Sequence, residues 1–454
     1  MLFVAALASP VAAQTIAITN ARVVIGDGSA PIEGGTVIVR DGRIVSAGAG
    51  GVIPADATRI DAGGNYVTPG IVAGFSRLGL VDVDAADGSN DTAANGSPFS
   101  AAIDVTPAIN PRAEAVSVNR AAGITRAVVA PSTGRSMFAG QGAVIDLASD
   151  MEPITRARAF QFVEFGEDGA REAGGSRPAA HALFRNALRE ARDLGRATGV
   201  SGGAGLASRS QRDLGLEEVP DARLLSPSAS RTDDVLLTRF DAAALVPVLQ
   251  GRQLLLIHVE RASDILQMLA LKREFPNLRM VLVGVSEGWT VADRIAAARV
   301  PVIASALTDL PAQFEQIAAT QSNIGRMQGA GVQVGIGMIN DDETRLMNST
   351  VQYAGNLVGV GRLPGGPPMS WGQAFALVSS GPAEAMGLGG EIGSLRAGRR
   401  ADVVIWDGDP LGGTATPTTV MIDGVRQSIE NRQTKLRNRY RDLDERQMPK
   451  AYDR

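Results

Sequence analysis

Residues 15 to about 68 alternate apolar and polar positions. The stretch "TIAITNARVVIGDGSAPIEGGTVIVRDGRIVSAGAG" is cut by Gly26-Asp27-Gly28, Gly34-Gly35 and Asp41-Gly42. A period of two with such breaks predicts short β-strands joined by tight turns, and no helical period fits. Residues 392–426 repeat the pattern in "IGSLRAGRRADVVIWDGDP" and "TTVMIDGVRQ". The economical expectation is that the two ends pair into one small β-sandwich.

The middle of the chain has a different rhythm. Continuous apolar runs lie at 124–132, 254–260, 279–287, 300–306 and 331–338, separated by helical stretches such as "ASDILQMLALKREF" and "TVADRIAAARV". Strands apolar on both faces, alternating with helices, predict a parallel sheet covered on both sides. Over residues 69–390 the expected form is an α/β fold, a (β/α)8 TIM-like barrel. The sandwich is then shared between residues 14–68 and 391–427. Residues 198–235, rich in Gly, Ser, Arg and Asp, read as a surface loop, and residues 428–454 as a charged helix with a frayed tail.

The chain's 454 residues are 44% hydrophobic, enough for a large core, and its net charge of −4 argues against a nucleic-acid partner. It has no cysteine, which excludes disulfides, thiolate metal sites and thiol nucleophiles. The opening "MLFVAALASPVAAQ" is apolar and leads to Val11-Ala12-Ala13, a small-residue cleavage pattern. Residues 1–13 therefore read as a signal peptide, and the expected location is periplasmic or secreted. No later stretch reads as a membrane span.

"YVTPGIVAGFSRLGL" would enter the first barrel strand, and "NRAAGITRAVVAPSTGRSMFAGQGAVIDL" would form the second strand and the loop after it. Near the end stand Gly393-Ser394-Leu395, Gly398, Ala401-Asp402 and Asp409-Pro410-Leu411. In these motifs the chain resembles the amidohydrolase superfamily, in particular its imidazolonepropionase-like branch. The resemblance spans nearly the whole chain after the leader. It implies hydrolysis of non-peptide C–N bonds in cyclic amides or related small molecules, by water activated on one or two divalent ions. The implied ligands are two His on the first strand, often a carboxylated Lys on the fourth, His on the fifth and sixth, and Asp on the eighth.

This chain departs from that set. The first-strand pair falls on Phe75 and Arg77, neither of which ligates a divalent cation. The only lysines are Lys272, Lys435 and Lys450, none on an expected barrel strand. His258 fits the fifth-strand position, Gly284 or a neighbour replaces the sixth-strand His, and Ile339 stands near the eighth-strand Asp. With two histidines in all, His181 and His258, a binuclear site cannot form. His181 sits in an Arg-rich amphipathic helix and reads as a surface or helix-packing residue.

The candidate site is therefore His258, Glu287, Asp341 and Asp342. Each carboxylate also reads as a cap of the next helix, and His258 as a hydrogen-bonded relic. Arg77 either binds a ligand or replaces the lost positive charge, paired with Glu287, Asp341 or Asp342. The acidic stretch at 80–96 reads as a solvated loop, since its spacing departs from a calcium loop. No cofactor is expected, with a single weakly held divalent ion left open. Two functions follow: a C–N hydrolase with a degraded metal site, or a non-catalytic relative. The second would bind a small-molecule ligand, or form a homo-oligomer or a pair with an intact homologue.

Overall fold

The structure, a computed structural model, describes residues 15–83, 86–198, 235–337, 349–364 and 366–441. The leader, most of the 198–235 stretch, Asp341, Asp342 and the end of the tail lie outside the described residues.

The chain opens with β1 (Thr15–Val23), β2 (Ile32–Arg40), β3 (Arg43–Gly48), β4 (Thr58–Asp61) and β5 (Tyr66–Pro69). Eight further strands follow: β6 (Ile71–Ser76), β7 (Ile124–Val129), β8 (Phe138–Asp146), β9 (Ile154–Glu164), β10 (Leu254–Val259), β11 (Met280–Gly284), β12 (Val302–Ala304) and β13 (Val334–Ile336). Among them run α1 (Glu114–Ala121), α2 (Glu167–Glu172), α3 (Arg177–Ala197), α4 (Arg239–Leu249), α5 (Ala262–Glu274), α6 (Ala292–Ala298) and α7 (Asn323–Gly329). The chain closes with α8 (Thr350–Val360), α9 (Trp371–Ala376), α10 (Ser380–Ala385), β14 (Val403–Trp406), β15 (Pro417–Ile422), β16 (Val425–Arg426) and α11 (Arg432–Tyr440). No helix among the described residues is long and apolar enough to cross a membrane.

The two ends do meet. β14 pairs antiparallel with β5, and the strands run β16-β15-β14-β5-β1-β2-β3, with β4 on β1. The sandwich takes the form of one sheet that curls back on itself, since Arg43 bridges Arg400 and encloses Ile18, Val37, Val67 and Val403. Asp41-Gly42 and Asp423-Gly424 make the hairpin turns, with φ of 52° and 70° and of 52° and 76°. These are the left-handed angles of a two-residue turn that matches strand twist.

The barrel strands run in order from β6 to β13. Inward positions carry Val128, Phe160, Phe162, Leu256 and Val283, while Val129, Val163, Ile257 and Leu282 face the helices. The seam between β6 and β13 is bridged by residues 377–378: Val72 donates to Val378 O (2.9 Å) and Ile336 to Leu377 O (2.8 Å). Gly74 lies so close to Ile336 O that any Cβ would collide with it.

One strand departs from the expected all-parallel order. β8 runs antiparallel to both β7 and β9. The connections 130–137 and 147–153 are too short for a crossover helix, which needs about a dozen residues, so the chain turns back as hairpins.

The terminal sheet is fastened to the barrel by one buried cation. Arg126 on β7 is fully buried and donates to both oxygens of Asp402 (2.8 and 2.9 Å), to Asp146 (3.3 Å) and to Thr155 Oγ1 (2.8 Å). It also pairs with Asp423 at 2.9 Å. Burial works against its charge, but Asp402, Asp423 and Asp146 together raise its pKa above the ordinary arginine value.

Candidate functional site

β10 and β9 are parallel neighbours, and their register sets His258 opposite Glu164. Inward positions on a strand recur every second residue. Leu254, Leu256 and His258 therefore share a face with Phe160, Phe162 and Glu164. The apolar residues fill the barrel and the last pair stands at its C-terminal mouth. His258 Nδ1 lies 2.7 and 2.8 Å from the two oxygens of Glu164. Glu260, two residues on, returns to the same face, and its Oε1 is 3.1 Å from His258 Nε2. The side chains of His258, Glu164 and Glu260 are only 16%, 14% and 1% exposed.

The turn after β11 completes the clamp. Gly284 and Val285 both adopt left-handed backbone, with φ of 87° and 60°. For a β-branched residue this is strained by about 1–3 kcal/mol and needs outside support. The Val285 N–H donates to Val259 O (2.9 Å), and Asn323 Nδ2 donates to Val285 O (2.9 Å). The bend aims the Ser286 N–H at Glu260 Oε2, 2.6 Å away. A Cβ on Gly284 would overlap Glu260 Oε1 and lie 2.8 Å from His258 Cδ2. Gly284→Ala should therefore cost roughly 2–4 kcal/mol, from the left-handed φ and the overpacking together. Chemical denaturation measures it, and an unchanged midpoint would refute the clamp.

The electrostatics follow from this geometry. Burial alone would lower the His258 pKa, but Glu164 and then Glu260 override it and hold it well above 6.5. Burial likewise works against the Glu260 charge, but His258 and the Ser286 N–H keep its pKa below the ordinary value.

A second layer backs the mouth. Glu315, 2% exposed, sits on the loop after β12, and burial pushes its pKa up. Its Oε1 and Glu164 Oε1 crowd Gly166, whose missing Cβ would lie 2.5 and 3.1 Å from them. Arg177 on α3 joins Glu315 (3.0 Å) to Asp264 (2.9 Å). His181 packs edge-on to Phe165 (4.7 Å between ring centres), with its Nε2 3.6 Å from Asp264 Oδ1.

Phe75 and Arg77 are buried, 2% and 6% exposed. Arg77 Nη1 donates to Ala130 O at 2.6 Å. Its guanidinium stands 4.9 Å from the Phe75 ring centre and 5.8 Å from that of Phe162. Pairing of Arg77 with Glu287 is not what the structure shows. The Glu287 oxygens instead accept from the Ala262 N–H at the start of α5 (2.9 Å) and the Ala318 N–H (3.1 Å). Glu287 thus fastens two loops, because main-chain donors at a helix start compete well for a nearby carboxylate. Asp341 and Asp342, the other proposed partners, lie outside the described residues.

Residues 222–429 match the model of an amidohydrolase family. The chain also superposes on the crystal structure of an amidohydrolase from Thermotoga maritima MSB8 with a TM-score of 0.74, covering 90% of this chain and 99% of that one at 21% identity. The chain thus has the fold of the amidohydrolase structures and carries an amidohydrolase family's pattern in residues 222–429. Phenylurea hydrolase B is a more distant structural neighbour, with a TM-score of 0.51 and 16% identity over 92% of this chain and 97% of that one. Molinate hydrolase is another, with a TM-score of 0.50 and 16% identity over 92% and 95%. At these identities the likeness speaks for the fold. A curated relative, "Amidohydrolase tasK" of Hapsidospora irregularis, is 48% identical over 54 residues. That match spans 12% of this chain and only 6% of the relative's length.

The resemblance to this superfamily implies a divalent metal at the barrel mouth, and the described residues do not fit one. A histidine ligates only through a ring nitrogen with a free lone pair. Both His258 nitrogens face carboxylates. Phe75 and Arg77 offer no donor on the first strand, and Gly284 offers none at the end of the sixth. Among the described residues no three His, Asp or Glu side chains are placed to hold a metal ion.

The sequence reading brought His258 to the mouth but passed over Glu164, Glu260 and Glu315. The His-x-Glu spacing of 258 and 260 was a usable signal, since alternate strand residues share a face. Glu164 ends the run "AFQFVE", a charge at the end of an apolar strand. Glu315 had no local signal, because the fold alone carries its loop to Gly166.

Proposed function

We propose that this chain is a non-hydrolytic member of the amidohydrolase superfamily, which binds a small molecule at its barrel mouth outside the cytoplasm. One observation carries the reading: both ring nitrogens of His258 are engaged by carboxylates. The ring is then neither a metal ligand nor a free base, and a mononuclear hydrolase built on His258 would need one nitrogen released. The mouth still holds groups of both signs, His258 and Arg77 against Glu164 and Glu260, at the end of the barrel where such folds take ligands.

The expected result is no turnover above buffer for cyclic amides, phenylureas and molinate, with or without added Zn2+, as followed by chromatography of the products. Catalytic release of an amine from any of them would defeat the reading. Thermal-shift titration with the same compounds tests binding, and a saturable rise in Tm supports it.

A further inference from the structure

The same clamp says which charge organises the barrel mouth. We infer that the His258 imidazolium, gripped between Glu164 and Glu260, is a built-in cation standing where a divalent ion would otherwise hold the strand ends together. The inference rests on the non-hydrolytic reading and extends it from activity to the source of order in the site.

The argument is one of donors and acceptors. An ionised carboxylate accepts hydrogen bonds and donates none. Glu164 takes one ring nitrogen at 2.7 and 2.8 Å and Glu260 takes the other at 3.1 Å. A neutral imidazole has one N–H, so one carboxylate would face a lone pair. Two N–H groups satisfy both sides, and the ring that carries two is the cation. Protonating Glu260 instead would weaken the hydrogen bond its Oε2 accepts from the Ser286 N–H at 2.6 Å.

The ring links three strand ends: Glu164 closes β9, His258 stands in β10, and Glu260 is fastened to the turn after β11. This is what a bridging ion does, here done with a proton. Among the described residues Glu315 also lies close to it, with Arg177 and Asp264 behind, and Arg77 stands over the Phe75 and Phe162 rings. A metal would have to strip a ring proton and part the ring from a carboxylate. A side chain added at position 284 to help would strike Glu260 and His258.

The chain has two histidines, so selective 15N labelling of histidine gives two ring systems, and a His181→Gln variant assigns them. The expected spectrum of the full chain at neutral pH has both His258 nitrogens protonated, unchanged by chelator and by added Zn2+. One bare His258 nitrogen, or a ring resonance that moves to a metal-bound position with Zn2+, would overturn the inference. A second measurement uses His258→Gln, whose Tm should fall below wild type and stay there with Zn2+. Recovery with the metal would equally overturn it. The two proposals fail separately. Amine release with both ring protons in place ends the non-hydrolytic reading alone, and Zn2+ capture without turnover ends this inference alone.

Discussion

Replacing Arg126 with methionine should destabilise the protein by roughly 3–5 kcal/mol, the usual cost of removing one member of a buried ion pair. Arg126 has no exposed surface and answers three carboxylates: Asp402, Asp146 and Asp423. Without it, three negative charges would share one site between the barrel and the terminal sheet. Burial already pushes the Asp146 carboxyl up to about 6, even with Arg126 beside it. Arg126→Met should therefore shift the balance toward protonated aspartates, and the variant should gain stability as the pH falls. Arg126→Lys keeps the charge but loses the fork that holds both Asp402 oxygens, so an intermediate effect is expected. Adding Asp402→Asn to Arg126→Met removes one stranded charge, and the pair should lose less than the sum of the singles. Urea unfolding of wild type, the three single variants and the double variant measures this. Strict additivity, or a Met variant as stable as wild type, would show that the cluster does not fasten the two parts.

Asp402 shows how far the sequence could be read. Its place in Ala401-Asp402 marked the family, but nothing local said that it would reach a strand 276 residues earlier. The alternating ends were legible because each exposes an apolar face that only the other can cover. The barrel strands were legible as apolar runs, yet the direction of β8 was not, since a strand buried on both faces reads the same either way. Its short connections were the available clue. At the mouth, the residue types set Phe75, Arg77 and Gly284 or a neighbour against the family's ligand set. What fills the space depends on register, which pairs Glu164 with His258, and on the left-handed bend at Val285. Neither leaves a pattern in the chain.

The second large effect concerns pH. In the folded protein His258 holds its proton well above 6.5, the ordinary value it regains on unfolding. A group whose pKa is raised by folding stabilises the fold fully below its unfolded value, and that contribution is lost as the pH rises through the folded value. Wild type should thus hold its stability through neutral pH and weaken on the alkaline side, where the ring deprotonates and Glu164 and Glu260 are left facing each other. Few other groups confuse this limb. The chain has three lysines and four tyrosines, and its arginines stay charged. On the acid side Glu260 has the opposite sign: its lowered pKa gives stability that is present above about 4.5 and lost as the pH falls through the folded value. His258→Gln keeps a donor but not the charge. It should lose roughly 3–5 kcal/mol at neutral pH, as for any buried ion cluster deprived of its cation. More tellingly, its alkaline limb should flatten, because the titrating group is gone. Urea midpoints from neutral to alkaline pH measure the difference between the two proteins. Parallel profiles for wild type and His258→Gln would mean that the proton on His258 does not hold the barrel mouth.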